Sequence, residues 1–388
     1  MLPMINALEV QKGKPAMKKN ITELENPRRR VVRKNKQREL TIGVDLGDKT
    51  SRYCVLDREG NVLFERSTAT TKKGLAQAFA SMGASRIAME VGTHSPWVKR
   101  LLESWNHEVI VANAHRVRLI TESTRKDDRL DARKLARLAR VDPELLSPIR
   151  HRSEGAQAHL VMIRARAALV EARTKLVNSA RGVTKSFGER LASCDPDQMR
   201  VKCLVGLPSS LQSALQPLVT AVESLTRQIH EYDNKIAQIA RSEYPETARL
   251  RQVTGVGELI ALTYVLTLED PQRFGRSRDV GGYLGLRPKR RDSGASRPQL
   301  RITKEGDVYL RMLLVQGAQY ILGWHGVDTD LRRWGLKLAA RGGKNAKKRA
   351  VIAVARKLAV LLHRLWVTGE RYEPLRHSQI ASSLQVAV

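Results

Sequence analysis

Three features of this 388-residue sequence predict an α/β domain with a mixed sheet at the N-terminal end, followed by a long, mainly helical remainder. Three strand-like runs open the patterned part and give way to alternating helix and strand patterns. An unbroken heptad pattern occupies the middle. The last third reads as helices interrupted by one Gly-, Pro- and Arg-rich stretch.

Residues 1–40 form a basic arm. Lys12, Lys14, Lys18 and Lys19 come first, then Arg28, Arg29, Arg30, Arg33, Lys34, Lys36 and Arg38. Such a run predicts a disordered, solvated tail compatible with phosphate contact on binding. A first domain is expected over 41–150. Thr41–Gly47 reads as a buried strand ending at a turn. Arg52–Leu56 and Asn61–Glu65 bracket the turn Asp57-Arg-Glu-Gly60 and predict a hairpin. Helices are expected over Lys72–Met82 and Pro96–Trp105, strands over Arg86–Val91 and Val109–Ala112, and a further helix over Asp131–Arg140. Asp142-Pro143 and Ser147-Pro148 mark the end of this domain.

A helical, coiled-coil middle is expected over 151–245. Its first helix spans Ala156–Val183. In the second, Leu211, Leu215, Leu218, Val222, Leu225, Ile229, Tyr232, Ile236 and Ile239 alternate by four and three, an unbroken heptad seam. Pro217 predicts that this helix starts near it or bends there. The seam suits an intramolecular hairpin with the preceding helix and an intermolecular coiled coil equally well. A third domain is expected over 246–370, with a tail over 371–388. Val253-Thr-Gly-Val-Gly257 before the apolar helix Leu259–Leu268 resembles the hairpin of a helix-hairpin-helix, whose glycines let backbone N–H groups approach a phosphate. Gly281–Arg301 reads as loop, and Val308–Leu322 and Lys344–Trp366 as helices.

The charge narrows the partners. Lys and Arg number 69 against 39 Asp and Glu, a net +30, which repels itself unless a polyanion neutralises it. Nucleic acid is the commonest such partner, and an anionic membrane surface is the other candidate. No stretch approaches the roughly 20 apolar residues of a membrane span; the nearest, Val351–Trp366, is broken by Arg356, Lys357, His363 and Arg364. Aromatics, at 4%, are too scarce for a fold built on stacked aromatic platforms. Cys54, Cys194 and Cys203 have neither a paired framework nor metal-ligand spacing. The expectation is a soluble, cytoplasmic protein facing nucleic acid.

Two constellations carry chemistry. Asp45 ends one strand and Glu90 lies near the end of another. Asp128 and Asp131 share a helix face, and Asp127 reaches that face equally well. Four carboxylates at one sheet edge would repel unless a cation offset them. Hard oxygen donors favour Mg²⁺, with Mn²⁺ as the alternative, and such ions can bind the attacking and leaving oxygens of a phosphodiester. Asp48 competes with Asp45, and Arg125, Lys126, Arg129 and Arg133 would make a salt-bridge ladder of the helical acids. The second constellation is Ser293 in Arg287-Pro-Lys-Arg-Arg-Asp-Ser-Gly294, a hydroxyl beside Arg287, Lys289, Arg290 and Arg291, with Ser296 as a rival. Its hydroxyl needs a base, a metal or cations before it can act as a nucleophile. Arg297 and Lys304 extend this cationic stretch, and Lys347, Lys348 and Arg349 open the last helix; all nine cations are candidate nucleic-acid contacts.

Taken together, Gly43-Val-Asp-Leu-Gly47, Met89-Glu90, Lys126–Leu138, Val253–Gly257, Asp270-Pro-Gln-Arg-Phe274, Gly285-Leu-Arg-Pro288, Ser293-Gly294, Ile302–Gly306 and Lys348–Leu358 resemble the DEDD transposases of the "one-ten" class of bacterial insertion sequences. The motifs stand in family order from about Thr41 to Trp366. The resemblance implies an RNase H-like (RuvC-like) first domain, a coiled-coil middle and a C-terminal transposase domain. It implies recombination of donor and target DNA guided by an element-encoded structured RNA, the bridge RNA. It also implies a homo-oligomer, dimer to tetramer, close to the bacterial nucleoid. The four family acids map onto Asp45, Glu90, Asp128 and Asp131, and the nucleophilic serine onto Ser293, which would form a covalent phosphoserine link to DNA. Val91–Trp97 departs from the family form after the glutamate. The competing readings are a metal-dependent junction nuclease that uses water, a non-catalytic nucleic-acid-binding protein, and an actin-like ATPase or sugar kinase. The last lacks a second phosphate loop, and there is no Walker-type Gly-Lys-Ser/Thr motif.

Overall fold

Large and small residues alternate along the inner strands, and this gives the sheet two unlike faces. In β1 (Thr41–Asp45), Ile42 and Val44 flank Gly43; in β4 (Arg86–Glu90), Ile87 and Met89 flank Ala88. Successive side chains point to opposite faces. The large set packs with Leu75, Phe79, Val98 and Leu102 beneath the helices Lys72–Phe79 and Ser95–Ser104. The small set leaves a shallow face, covered by Ala132, Leu135, Ala136 and Ala139 of the helix Asp128–Val141.

These elements come from a computed structural model that describes residues 39–113, 128–298 and 300–376. The chain forms two compact units that divide between Arg150 and His151. In the first, β2 (Thr50–Leu56) and β3 (Val62–Ala69) complete the hairpin, and β5 (Glu108–Ala112) lies at the far edge. The order is β3-β2-β1-β4-β5, with β1 antiparallel to β2 and parallel to β4, so the sheet is mixed, as its opening meander implies. Together with the helical remainder it fits an RNase H-like fold. The basic arm before residue 39, Asp127 and the end of the tail lie outside the described residues.

In the second unit two long helices, Glu154–Ser186 and Ser209–Ser242, pack against each other as an intramolecular hairpin. Arg166 clasps Asp233 through Nε (2.8 Å) and Nη2 (3.1 Å) across it. Of the two outcomes that Pro217 suggests, a start near it or a bend, the start is not found: the second helix begins at Ser209 and runs through Pro217. Pro217 is exposed, so the carbonyl it leaves unpaired inside the helix can face water. The buried stripe also departs from the heptads. Leu215, Val222, Ile229 and Ile236 are buried as expected, but Val219, Thr226 and Ala240 accompany them, while Leu218, Leu225, Tyr232 and Ile239 are only half-buried. Between the helices, the sulfurs of Cys194 and Cys203 lie 3.8 Å apart.

The rest of the unit is helical. A short helix, Glu246–Leu250, precedes the turn 253–257 and the helix Glu258–Leu268. That helix is apolar on every side and is buried from Ala261 to Leu268, with the Tyr264 hydroxyl donating to the Ala359 carbonyl at 2.6 Å. Val308–Leu322 and Ala346–Thr368 pack on it. A further helix, Asp330–Ala339, was passed over in the sequence although Leu331, Trp334 and Leu338 recur at helical spacing; its start is capped by the Thr329 hydroxyl, which accepts from the Arg332 amide. No helix among the described residues is long and apolar enough to cross a membrane.

Candidate active site and nucleic-acid interface

The register that pairs Thr41 with Arg86 and Val44 with Met89 leads, one step on, to Asp45 beside Glu90. Both acids therefore stand at the carboxyl ends of adjacent parallel strands, each half-buried. Asp131 comes near Glu90, and its helix lies against Gly43: a Cβ on Gly43 would stand 2.0 Å from the Ala132 carbonyl oxygen and 2.5 Å from the Ala136 nitrogen. Burial raises the pKa of Glu90, and the charge of Asp131 raises it further, so these two carboxylates feel each other. Asp131 is also 3.5 Å from the Lys134 ammonium. Asp128 opens the same helix one turn earlier.

The described side chains contain no group of three or more His, Cys, Asp or Glu disposed to hold a metal ion. The donor chemistry nonetheless fits a hard divalent cation. All the acids offer oxygen, and a cation would relieve the burial and repulsion that hold Glu90 toward its neutral form.

Asp48, the rival of Asp45, has an 88% exposed side chain whose Oδ1 lies 3.3 Å from His94 Nε2. His94 Nδ1 accepts from Trp97 Nε1 at 3.1 Å, which leaves Nε2–H directed at Asp48. His94 thus ties the turn after β1 to the turn after β4. Sequence reasoning missed this link; the signal was a histidine four residues beyond a strand-end acid.

Ser293 occupies the tip of an open hairpin. Lys289 N donates to Arg301 O and Thr303 N to Arg287 O, both at 2.9 Å. At the tip Ser296 N donates to Ser293 O (2.9 Å) and Ser293 N to Ser296 O (3.2 Å), with Gly294 at φ +54°. Every residue from Arg287 to Pro298 is exposed, so Ser293 and Ser296 stand in solvent with Arg287, Lys289, Arg290, Arg291 and Arg297 in the same hairpin. The neck is rigid. Gly285 (φ +67°) and Gly306 (φ +73°) let the two arms touch: a Cβ on Gly285 would fall 2.2 Å from the Glu305 oxygen, and one on Gly306 2.1 Å from the Tyr283 oxygen. The buried Arg311 guanidinium donates to the carbonyls of Leu284 (3.1 Å) and Glu305 (2.7 Å), one on each arm. Sequence reading passed over Arg311 because it lies inside an apolar helix. Lys304, Lys347, Lys348 and Arg349 are exposed as well.

Residues 42–187, which carry the four acids, match a family of DEDD transposases of the IS110 type. Residues 247–331, which carry the Ser293 hairpin and its neck, match the transposase IS116/IS110/IS902 family. The chain belongs to the IS110 family of insertion-sequence transposases. Among its relatives is the transposase for insertion sequence element IS1111A of Coxiella burnetii, 28% identical over 85% of this chain and 90% of the relative. A probable family 20 transposase of Pseudomonas aeruginosa is 27% identical over 86% and 98%. The transposase for insertion sequence element IS1328 of Yersinia enterocolitica is 28% identical over 72% and 82%. Membership implies that this transposase acts on DNA, cutting and rejoining it, and the DEDD type points to dependence on a divalent metal.

Proposed function

We propose that this transposase recombines DNA under the guidance of a structured element-encoded RNA, with Ser293 as nucleophile. The observation that carries the reading is the contrast between its two groups of residues. One is the carboxylate pair Glu90 and Asp131, held close enough for the second to raise the pKa of the first; the other is an exposed hydroxyl on a cationic hairpin closed at its neck by Arg311. Asp45, Glu90, Asp128 and Asp131 would hold Mg²⁺, or Mn²⁺ in its place, which when bound offsets negative charge on a phosphodiester.

The chain's own residues do the rest. Arg287, Lys289, Arg290, Arg291 and Arg297 attract and orient the DNA backbone. The Ser293 oxygen attacks phosphorus, the Oγ–P bond forms, and the P–O bond to the departing deoxyribose breaks. The serine proton balances the new DNA hydroxyl. The covalent link retains the cut end and its bond energy, so the reverse attack by another DNA hydroxyl rejoins strands without ATP. The half-buried column Leu218, Leu225, Tyr232 and Ile239 supports assembly into dimers and tetramers, in which acids and serine from different protomers serve one DNA.

The test is capture of a protein–DNA adduct on a denaturing gel with end-labelled element DNA, using protein purified from cells that carry the flanking DNA. Adduct in wild type and Ser296→Ala, with none in Ser293→Ala or Asp131→Asn, is the expected result. Cutting without adduct in Ser293→Ala would give the role to water. Sequencing of copurified RNA is expected to return one discrete element-encoded species.

A further inference from the structure

Four of the five tryptophans, Trp97, Trp105, Trp334 and Trp366, pack against a hydrophobic cluster. The fifth, Trp324, is 88% exposed. It lies in the loop Gly323–Val327, between the helices Val308–Leu322 and Asp330–Ala339. Its exposure does not come from a loose loop. The Arg332 guanidinium donates to the carbonyls of Ile321 and Gly323, and Gly323 N donates to Gln319 O at 2.8 Å. A Cβ on Gly326 would stand 2.2 Å from the Ile321 oxygen and 2.3 Å from Arg332 Nη1, so the turn closes only around glycine. The exposed ring of His325 backs the indole, with centroids 3.9 Å apart and planes at 39°.

A fixed loop that holds a large ring in water is preorganised for a partner. Charge selects which one. From Trp324 to Arg349 the chain carries eight Lys and Arg against two Asp. Lys337, Arg341, Lys344, Lys347 and Lys348 are exposed within that span. A second copy would meet this region with the same excess of positive charge. A polyanion with flat apolar faces suits both the cations and the ring.

We propose that Trp324, backed by His325, is a stacking platform for an unpaired DNA base. The substrate class rests on the transposase identity, and Trp324 is not among the residues given a role above. Bases inside a duplex already stack on their neighbours, so the platform takes a base that strand opening has released. Stacking discriminates little among bases, so sequence preference is expected to be weak.

The test uses the full chain with fluorescently labelled oligonucleotides of equal length: single-stranded deoxythymidine, duplex DNA and single-stranded uridine RNA. Trp324→Ala is expected to weaken single-stranded DNA binding about tenfold, within the range for loss of one stacked base. Trp324→Tyr should keep most of the affinity, Trp324→Leu should not, and duplex binding should hold in all three. On wild-type protein, 5-iododeoxyuridine photocrosslinking is expected to map to Trp324 or His325, a readout that needs no variant to fold. Unchanged single-strand affinity in Trp324→Ala, full rescue by leucine, or crosslinks only elsewhere would overturn the platform. A defect confined to RNA would overturn the assignment to DNA, and a changed oligomeric state with unchanged affinity would assign the ring to a protein contact. If the wild-type chain bound no nucleic acid at all, the functional reading would fail rather than this inference alone.

Discussion

Gly43 and Ala132 meet backbone to backbone: a side chain on Gly43 would begin 2.0 Å from the Ala132 carbonyl oxygen. The contact sets how closely the helix bearing Asp131 approaches the strand ending at Asp45. It explains why a glycine sits inside a buried strand, where it otherwise weakens pairing. Gly43→Ala is therefore expected to destabilise the first unit by about 1–3 kcal/mol through overpacking, and Gly43→Val by more. Adduct formation should fall further than the loss of folded protein explains, because the acids are forced apart. Thermal unfolding alongside the adduct assay checks this; a Gly43→Val protein with normal stability and activity would refute it.

Glu90 gives a pH dependence whose sign can be worked out. Its folded pKa is raised above the ordinary 4.5. Below that value the side chain is protonated whether the chain is folded or not, and nothing is lost. As pH rises above about 4.5, the unfolded chain releases the proton while the folded chain still holds it, so stability falls until the raised pKa is passed. Without divalent metal, Glu90→Gln should therefore gain stability over wild type as pH climbs from 4 to 7. Added Mg²⁺ should stabilise wild type and leave Glu90→Gln nearly unchanged. Identical pH profiles of melting temperature in the two proteins would contradict the assignment.

Removing the like charge should show in the same group. In Asp131→Asn, the Glu90 carboxyl is expected to titrate closer to its ordinary value while staying above it, because burial is the larger cause. Carbon-13 NMR of the labelled carboxyl measures it. An unmoved titration would mean that the two acids do not interact.

Arg311 joins the two arms of the neck that carries Ser293. Arg311→Met leaves the buried Leu284 carbonyl and the part-buried Glu305 carbonyl short of a donor and is expected to cost about 1–3 kcal/mol. Adduct formation should drop sharply while DNA affinity changes little, since the exposed cations remain. Equal losses of affinity and of adduct would show that Arg311 supports the fold alone.

The hairpin cations predict a salt signature. With Arg290 and Arg291 both changed to Ala, the slope of log affinity against log salt should become shallower by roughly two, if each neutralises one phosphate of duplex DNA. An unchanged slope would place the phosphates elsewhere.

Much of this was legible in the residues. The hairpin after Thr41, the alternation of helix and strand, and the strand-end positions of Asp45 and Glu90 follow from local periodicity and turn chemistry. So does the exposure of a Ser-Gly tip among cations. What stayed hidden depends on contacts far apart in sequence. The heptads marked a packing helix but did not distinguish Val219 from Leu218 as the residue facing its partner. Pro217 suggested a helix start or a bend, and the start was not found because its solvent exposure, which lets a helix run through it, is not a sequence property. Arg311 and His94 gained meaning only from the carbonyls and the carboxylate that the fold brought to them.

The amino-acid order by itself determined the mixed α/β start and the cationic character, because each rests on residue type and short spacing; spacing alone left Asp127 beside Asp128 and Ser296 beside Ser293, and the choice among them came from the ordered resemblance to a family. Only the tertiary structure decided that Asp131 stands near enough to Glu90 to disfavour its charge, that Arg311 closes the neck below Ser293, and that one tryptophan is held out in water. Those outcomes depend on how closely backbones far apart in the chain approach, and close approach is set by packing in three dimensions.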